Sequence, residues 1–112
     1  MTIVSTEWLN NNFSKVKILD ASWHLLVNRN GFKEYQEEHI ENAIFFNLDK
    51  HSNQLKDLPH NHFLPEKKDW EKTLSEMGIS NSDKVVIYDN SDLITSCRCW
   101  FQFLYFGHRP DL

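Results

Sequence analysis

Side chains that could do chemistry fall in two stretches of this chain, and the first is a polar segment from Leu48 to Pro65. An imidazole beside a carboxylate is suited to proton transfer or charge stabilisation, because the carboxylate orients the ring. The segment has no periodicity, which predicts a long irregular loop, and loops of that length in compact domains are usually functional. Its candidate residues are Asp49, His51, Asp57, His60 and His62.

The second stretch holds the two cysteines, Cys97 and Cys99, inside a predicted helix. They are too close together for an unstrained structural disulfide, so we expect reduced thiols. Cys97 is the more tempting nucleophile, but its place within the helix favours the role of a small buried hydrophobe. A phosphatase loop is excluded, because it needs an arginine six positions after the cysteine, where Phe103 and Tyr105 stand.

A metal site is a weaker alternative for the first stretch. His60 and His62 form an H-x-H pair that could bind a metal together with a cysteine. The pattern fixes no third ligand, however, and is poor evidence by itself. We therefore predict no metal and no other cofactor.

Charge and hydropathy exclude two classes of partner. The chain of 112 residues has 16 acidic and 12 basic residues, a net charge of -4, and its basic residues are scattered. This excludes a nucleic-acid surface. No segment approaches the roughly 20 apolar residues that span a bilayer, and the first residues lack a signal-peptide pattern. We expect a cytoplasmic protein with neither nucleic acid nor membrane as a partner.

Predicted strands alternate with predicted helices, which is typical of an α/β fold. The best supported helix begins at Glu66, repeats Trp70, Leu74 and Met77 on one face, and has Gly78 placed for a left-handed C-cap. Helices are predicted at 5–12, 32–38, 66–77 and 95–106, and strands at 16–19, 43–46 and 85–88.

Two of these elements lead to expectations about burial and completeness. The strand Val85–Tyr88 is a continuous apolar run, typical of a strand covered on both faces of a parallel sheet. The last helix is apolar on nearly every side, so we expect several neighbours to bury it. No strand follows Gly107, although a crossover helix normally leads into one. We predict a single domain over residues 1–112, truncated before its last strand.

The four tryptophans are expected in the core: Trp8, Trp23, Trp70 and Trp100.

A series of short motifs runs from about Ser5 to His108. In order and spacing the series resembles the N-terminal, non-catalytic domain of rhodanese-type sulfurtransferases, which act on thiosulfate or 3-mercaptopyruvate. One departure is Glu41-Asn42, where the family usually has Pro and Gly, and it changes only how the chain turns into the second strand. The motifs lie at 20–23, 34–35, 39–40 with 43, 45–46, 62–65, 78–80, 85–89, 98–100 and 106–108.

The resemblance implies a rhodanese-like fold, with a central parallel sheet flanked by helices, and a partner domain of the same fold. In such enzymes a cysteine thiolate takes sulfane sulfur from a donor as a persulfide and passes it to a thiophilic acceptor. That cysteine directly follows a central strand, and here Asp89 stands in its place. A carboxylate cannot form a persulfide and repels anionic donors. We expect a degenerate active-site loop at Asp89 and no activity in this chain alone.

The resemblance also implies roles for three other side chains. Asp49 and His62 match positions from which the 3-mercaptopyruvate branch sends an acidic residue and a histidine into the cleft between domains. A polar loop could equally collect them for solubility alone. Arg98 is a substrate-binding candidate that could face an anion, although we expect it to pair with Asp89 or Asp92.

Together these expectations define one leading hypothesis and one alternative. The parent protein is expected to be a sulfurtransferase that uses 3-mercaptopyruvate or thiosulfate, with the persulfide cysteine in a second rhodanese domain. Its partners are then that second domain and a small sulfur donor. The alternative is a stand-alone, non-catalytic module that binds another protein through an exposed apolar face.

Overall fold

The computed structural model describes residues 3–25 and 28–112 and shows an α/β fold. Strands and helices alternate in the predicted order, so the predicted fold class is confirmed. No helix in the described part of the chain is long and apolar enough to cross a membrane. The elements are α1 (Thr6–Asn12), a 3-10 turn (Phe13–Lys15), β1 (Lys17–Asp20), α2 (Gly31–Glu37), β2 (Ile44–Phe45), α3 (Lys67–Met77), β3 (Val85–Tyr88) and α4 (Ser96–Tyr105).

The three strands form a parallel sheet in the order β2-β1-β3. The central strand β1 is the most buried, and Leu19 in its middle is fully inaccessible to solvent. The edge strand β3 is half-buried along its whole length, less than its apolar run predicted, because β1 is its one neighbouring strand in the described sheet. The amide of Val85 in β3 donates to the carbonyl of Leu112 over 2.6 Å.

Helix α3 has the predicted geometry and supplies the largest core side chain. Its C-terminus is closed by Gly78, whose φ of 73° lies in the left-handed region that glycine adopts without strain. Trp70 on its inner face is 2% exposed and packs edge-on against Phe46 and Phe103. Burying a large aromatic ring of this kind contributes about 1.5–3 kcal/mol.

Helix α4 buries one face only, so the prediction that several neighbours surround it is wrong. Cys99 and Phe103, four positions apart, point into the core. Cys97 is exposed, which corrects the prediction of a buried hydrophobe at that position. Trp100 is 41% exposed and is not a core residue. The other exposed apolar side chains of this region are Leu93, Ile94, Phe101 and Tyr105.

The parallel arrangement brings the candidate residues to one edge of the sheet. All three strands end at the same side, and the segments that follow them carry Trp23, the loop from Leu48 to Pro65, and Asp89. Open α/β sheets bind ligands at this carboxyl edge. The fold therefore gathers the candidate side chains where such proteins place their sites.

Candidate functional site

The structure brings Asp49 and His62 into direct contact. Nε2 of His62 lies 2.6 Å from Oδ1 of Asp49, although the two residues are 13 positions apart. A carboxylate only accepts hydrogen bonds, so Nε2 donates and Nδ1 is left for another partner. The His62 side chain is 22% exposed, and that of Asp49 is 67% exposed. The pair is thus open to a ligand.

A third residue, Trp23, joins this pair and was not predicted as part of a site. Its indole Nε1 donates to Oδ2 of Asp49 over 3.1 Å, and its ring meets that of His62 edge-on at 4.8 Å between centroids. The sequence predicted only a core role for Trp23, which is half-buried. A partly buried tryptophan usually donates its N–H to a polar partner. A nearby polar partner for Trp23 was therefore the one feature that the sequence could have suggested.

The loop that carries the pair is held by specific hydrogen bonds. The amide of Asn53 donates to the carbonyl of Phe63, and the Gln102 side chain donates to the carbonyl of His51 over 3.2 Å. Burial, together with the nearby charge of Lys50, lowers the pKa of His51. The Nδ1 of His51 accepts from the amide of Asn47, and the ring packs against Phe46 in the core.

A surface cavity of about 310 Å³ is lined by both members of the pair. Its volume suits a small molecule, and its walls are mostly polar. His60 also lines it but makes no side-chain hydrogen bond within residues 3–25 and 28–112. No cluster of three or more His, Cys, Asp or Glu side chains with metal-binding geometry occurs among those residues.

The loop after β3 is organised by Asp89. Its Oδ2 accepts from the backbone amide of Ser96 over 2.7 Å, and its Oδ1 accepts from both the amide and the hydroxyl of Ser91. Burial opposes ionisation here, but the hydrogen bonds from Ser96 and Ser91 outweigh it and hold the pKa of Asp89 below its ordinary value. An ionised carboxylate therefore occupies the N-terminus of α4.

Arg98 does not pair with Asp89 or Asp92, so that prediction is wrong. Its Nε donates instead to the side-chain oxygen of Gln102, one turn along α4. Its Nη2 is buried and has no hydrogen-bond partner in the described part of the chain. Burial lowers the pKa of Arg98. The guanidinium thus packs along the helix rather than reaching the Asp89 loop.

A larger cavity, of about 700 Å³, lies near the ends of β1 and β3 and contains none of the candidate residues. Arg29 donates to both carboxylate oxygens of Glu34 and to the carbonyl of Asn90 there. Burial raises the pKa of Tyr88, in its wall, to about 12. The contacts of Arg29 connect α2 to the loop after β3.

Comparison with known proteins identifies the fold and the family. A family model for the rhodanese-like domain matches residues 5–111. The crystal structure of SseA from Escherichia coli, described among 3-mercaptopyruvate sulfotransferases with the rhodanese fold, superposes with a TM-score of 0.86 at 26% identity. That alignment covers 97% of this chain and 42% of SseA.

Similar sequences include sulfurtransferases from plants and mammals. The chain is 41% identical to thiosulfate/3-mercaptopyruvate sulfurtransferase 1, mitochondrial, of Arabidopsis thaliana, over 95% of this chain and 28% of the relative. It is 35% identical to rat thiosulfate sulfurtransferase, over 96% of this chain and 38% of that protein. The chain thus spans well under half the length of these relatives. With the family model covering nearly all of it, the chain belongs to the rhodanese family.

Proposed function

We propose that this chain forms one side of the active-site cleft of a sulfurtransferase, and that Asp49 and His62 act on the donor there. The observation that carries the proposal is the 2.6 Å contact between His62 Nε2 and Asp49 Oδ1, at the wall of a small polar cavity. The names of the relatives supply the reaction class.

The persulfide cysteine belongs, in this proposal, to a second rhodanese domain. In the described chain Asp89 stands where the resemblance expects a cysteine, and its carboxylate is already bonded to Ser96 and Ser91. Cys99 is buried, and burial raises the pKa of its thiol, which disfavours the nucleophilic thiolate. The Asp89 loop therefore offers no nucleophile with which this domain alone could transfer sulfur.

The proton-transfer chemistry of the pair favours 3-mercaptopyruvate over thiosulfate as donor. When a thiolate attacks the sulfur of 3-mercaptopyruvate, the C–S bond breaks, and the carbon keeps the electron pair as the enolate of pyruvate. That enolate must gain a proton to become pyruvate. Sulfite leaving from thiosulfate needs none. A histidine whose Nε2 is bonded to a carboxylate can take up a proton at Nδ1, as an imidazolium that the carboxylate stabilises, and then pass that proton to the enolate.

The test is a kinetic comparison of the two donors in the full-length protein encoded by the gene. His62→Asn is expected to lower turnover with 3-mercaptopyruvate by about 10²–10⁴-fold, the usual contribution of a general acid or base. Turnover with thiosulfate should change little. His39→Asn is the matched control, since His39 is exposed and does not line this cavity. Equal losses with both donors would contradict the proton-transfer role.

A second candidate function is a non-catalytic protein-binding module, favoured by exposed apolar side chains on and before α4. Ile94 is 63% exposed, and Trp100 and Phe101 in α4 are 41% and 49% exposed. The extent of the gene's reading frame distinguishes the two candidate functions. A frame that continues into a second rhodanese domain with Cys after its central strand supports the enzyme. A frame that lacks one supports the module.

The cytoplasmic location is also a proposal. One relative, from Arabidopsis thaliana, carries the word mitochondrial in its name. Imaging of the tagged full-length protein tests it directly, and a mitochondrial signal would overturn it.

A further inference from the structure

We infer that Trp23 is a positioning residue, which holds Asp49 and thereby fixes the orientation and tautomer of His62. The inference rests on the proposed function for its biological meaning. The contacts on which it rests all lie within this chain. Three contacts connect the residues: indole to carboxylate, carboxylate to imidazole, and indole ring to imidazole ring.

The first step is that Asp49 needs an anchor. Its side chain is 67% exposed, and an exposed carboxylate is free to rotate into water. Exposed ion pairs are worth only about 0–1 kcal/mol, because solvent competes for both partners. The contact with His62 alone therefore does not fix Asp49. Trp23 supplies the second bond, to the other carboxylate oxygen.

The second step is that Trp23 is itself held in place. It packs against the hydrophobic core and follows the buried residues Ala21 and Ser22 directly after β1. The carbonyl of Ala21 accepts from the Thr95 hydroxyl, and the hydroxyl of Ser22 accepts from the amide of Asn90. The backbone leading to Trp23 is thus bonded to the neighbouring loop, so its indole projects from a rigid base.

The third step concerns the imidazole. With Oδ2 occupied by the indole, Oδ1 of Asp49 faces Nε2 of His62, which must carry the proton. The edge-on packing of the two rings, with planes at 90°, restricts rotation of the imidazole. His62 also has a φ of 68°, an uncommon backbone conformation for a residue other than glycine, found where surrounding contacts impose it. Nδ1 is therefore the atom presented for proton transfer.

The experiment is an NMR measurement of the His62 ring nitrogens in this chain at a pH where the imidazole is neutral. In the wild type the two nitrogens should resonate far apart, as expected for one tautomer with the proton on Nε2. Trp23→Phe keeps an aromatic ring but removes the donor. It should bring the two resonances together as the tautomers interconvert. Trp100→Phe, on the exposed side of α4, is the matched control and should match the wild type.

A second measurement keeps the inference testable if Trp23→Phe does not fold. Asp49→Ala removes an exposed side chain, so the fold should persist, and the Trp23 indole N–H should then lose its protection from exchange with water. An unchanged indole signal would overturn the inference, as would wild-type nitrogen resonances in Trp23→Phe. Neither measurement uses a sulfur donor, so both can succeed or fail independently of the proposed function.

Discussion

The carboxylate of Asp89 accepts a hydrogen bond from the backbone amide of Ser96, the first residue of α4, over 2.7 Å. The N-terminus of a helix attracts anions, because its free N–H groups carry partial positive charge. Here the anion is the chain's own side chain. An incoming anionic sulfur donor would meet a like charge in place of free N–H groups, which gives a physical reason for an inert loop.

Asp89→Ala is expected to lower the free energy of unfolding by about 0.5–2 kcal/mol, the usual cost of losing a helix-capping carboxylate. Urea denaturation at neutral pH measures it. Asp57→Ala, an exposed loop substitution, should cost much less. An equal effect of the two substitutions would contradict the capping role.

The stabilisation by Asp89 should depend on pH in one direction. Its folded-state pKa lies below the ordinary value, so the stabilisation is complete above about pH 4 and is lost as the pH falls through the lowered pKa. The difference in unfolding free energy between wild type and Asp89→Ala should therefore shrink in acid. A difference that grows below pH 4 would contradict this direction of the pH dependence. Denaturation curves across an acid pH series measure it.

Gly31→Ala is expected to destabilise the protein by about 1–3 kcal/mol through steric overlap. A Cβ at this position would overlap the carbonyl oxygen of Ser22, where α2 begins beside the end of β1. Lys33→Ala, exposed in the same helix, is the control and should change stability little. Thermal denaturation of the three proteins tests it, and a melting temperature unchanged by Gly31→Ala would contradict the close approach.

The two cysteines should differ sharply in reactivity. Cys97 is exposed, whereas Cys99 is fully buried and burial raises the pKa of its thiol. An alkylating reagent at neutral pH should modify one thiol per chain quickly, and peptide mapping should place it at Cys97. Cys99 should react only after denaturant is added. Rapid labelling of both thiols in the native protein would contradict the packing of α4.

Gln102→Leu is expected to cost about 1–3 kcal/mol, because it leaves buried polar groups without partners. Gln102 is fully buried, accepts from Nε of Arg98 and donates to the carbonyl of His51 in the candidate loop. Gln36→Leu, on exposed α2, controls for the change of residue type. Guanidinium denaturation provides the comparison, and equal stability of the two variants would argue against this connection.

Local patterns predicted the elements well where one face of a helix or strand carried the signal. The run from Glu66 to Gly78 gave α3 nearly to the residue, because the apolar repeat and the left-handed cap are both local features. In α4 the apolar residues surround the helix, so no polar face indicated which side of the helix faces solvent. The assignment of Cys97 as buried and Trp100 as core failed for that reason.

The candidate site was predictable only in part. Asp49 and His62 came from the family resemblance, and the structure brings them into contact across 13 positions. The contact from Trp23 to Asp49 spans 26 positions and depends on the order of strands in the sheet, which the local pattern does not encode. The predicted partner of Arg98 was wrong for a different reason, since its actual partner, Gln102, lies one turn along the same helix rather than in the Asp89 loop.

The most direct test of the central claim, that this domain carries no persulfide site of its own, is intact-protein mass spectrometry of the chain after exposure to 3-mercaptopyruvate or thiosulfate. We predict no gain of a sulfur atom, in the wild type or in Cys97→Ser, because Asp89 fills the anion position of the loop, Cys99 is buried, and the exposed Cys97 lies in α4, outside that loop. A gain of sulfur in the wild type that disappears in Cys97→Ser would contradict the claim, because the chain would then hold sulfane sulfur itself.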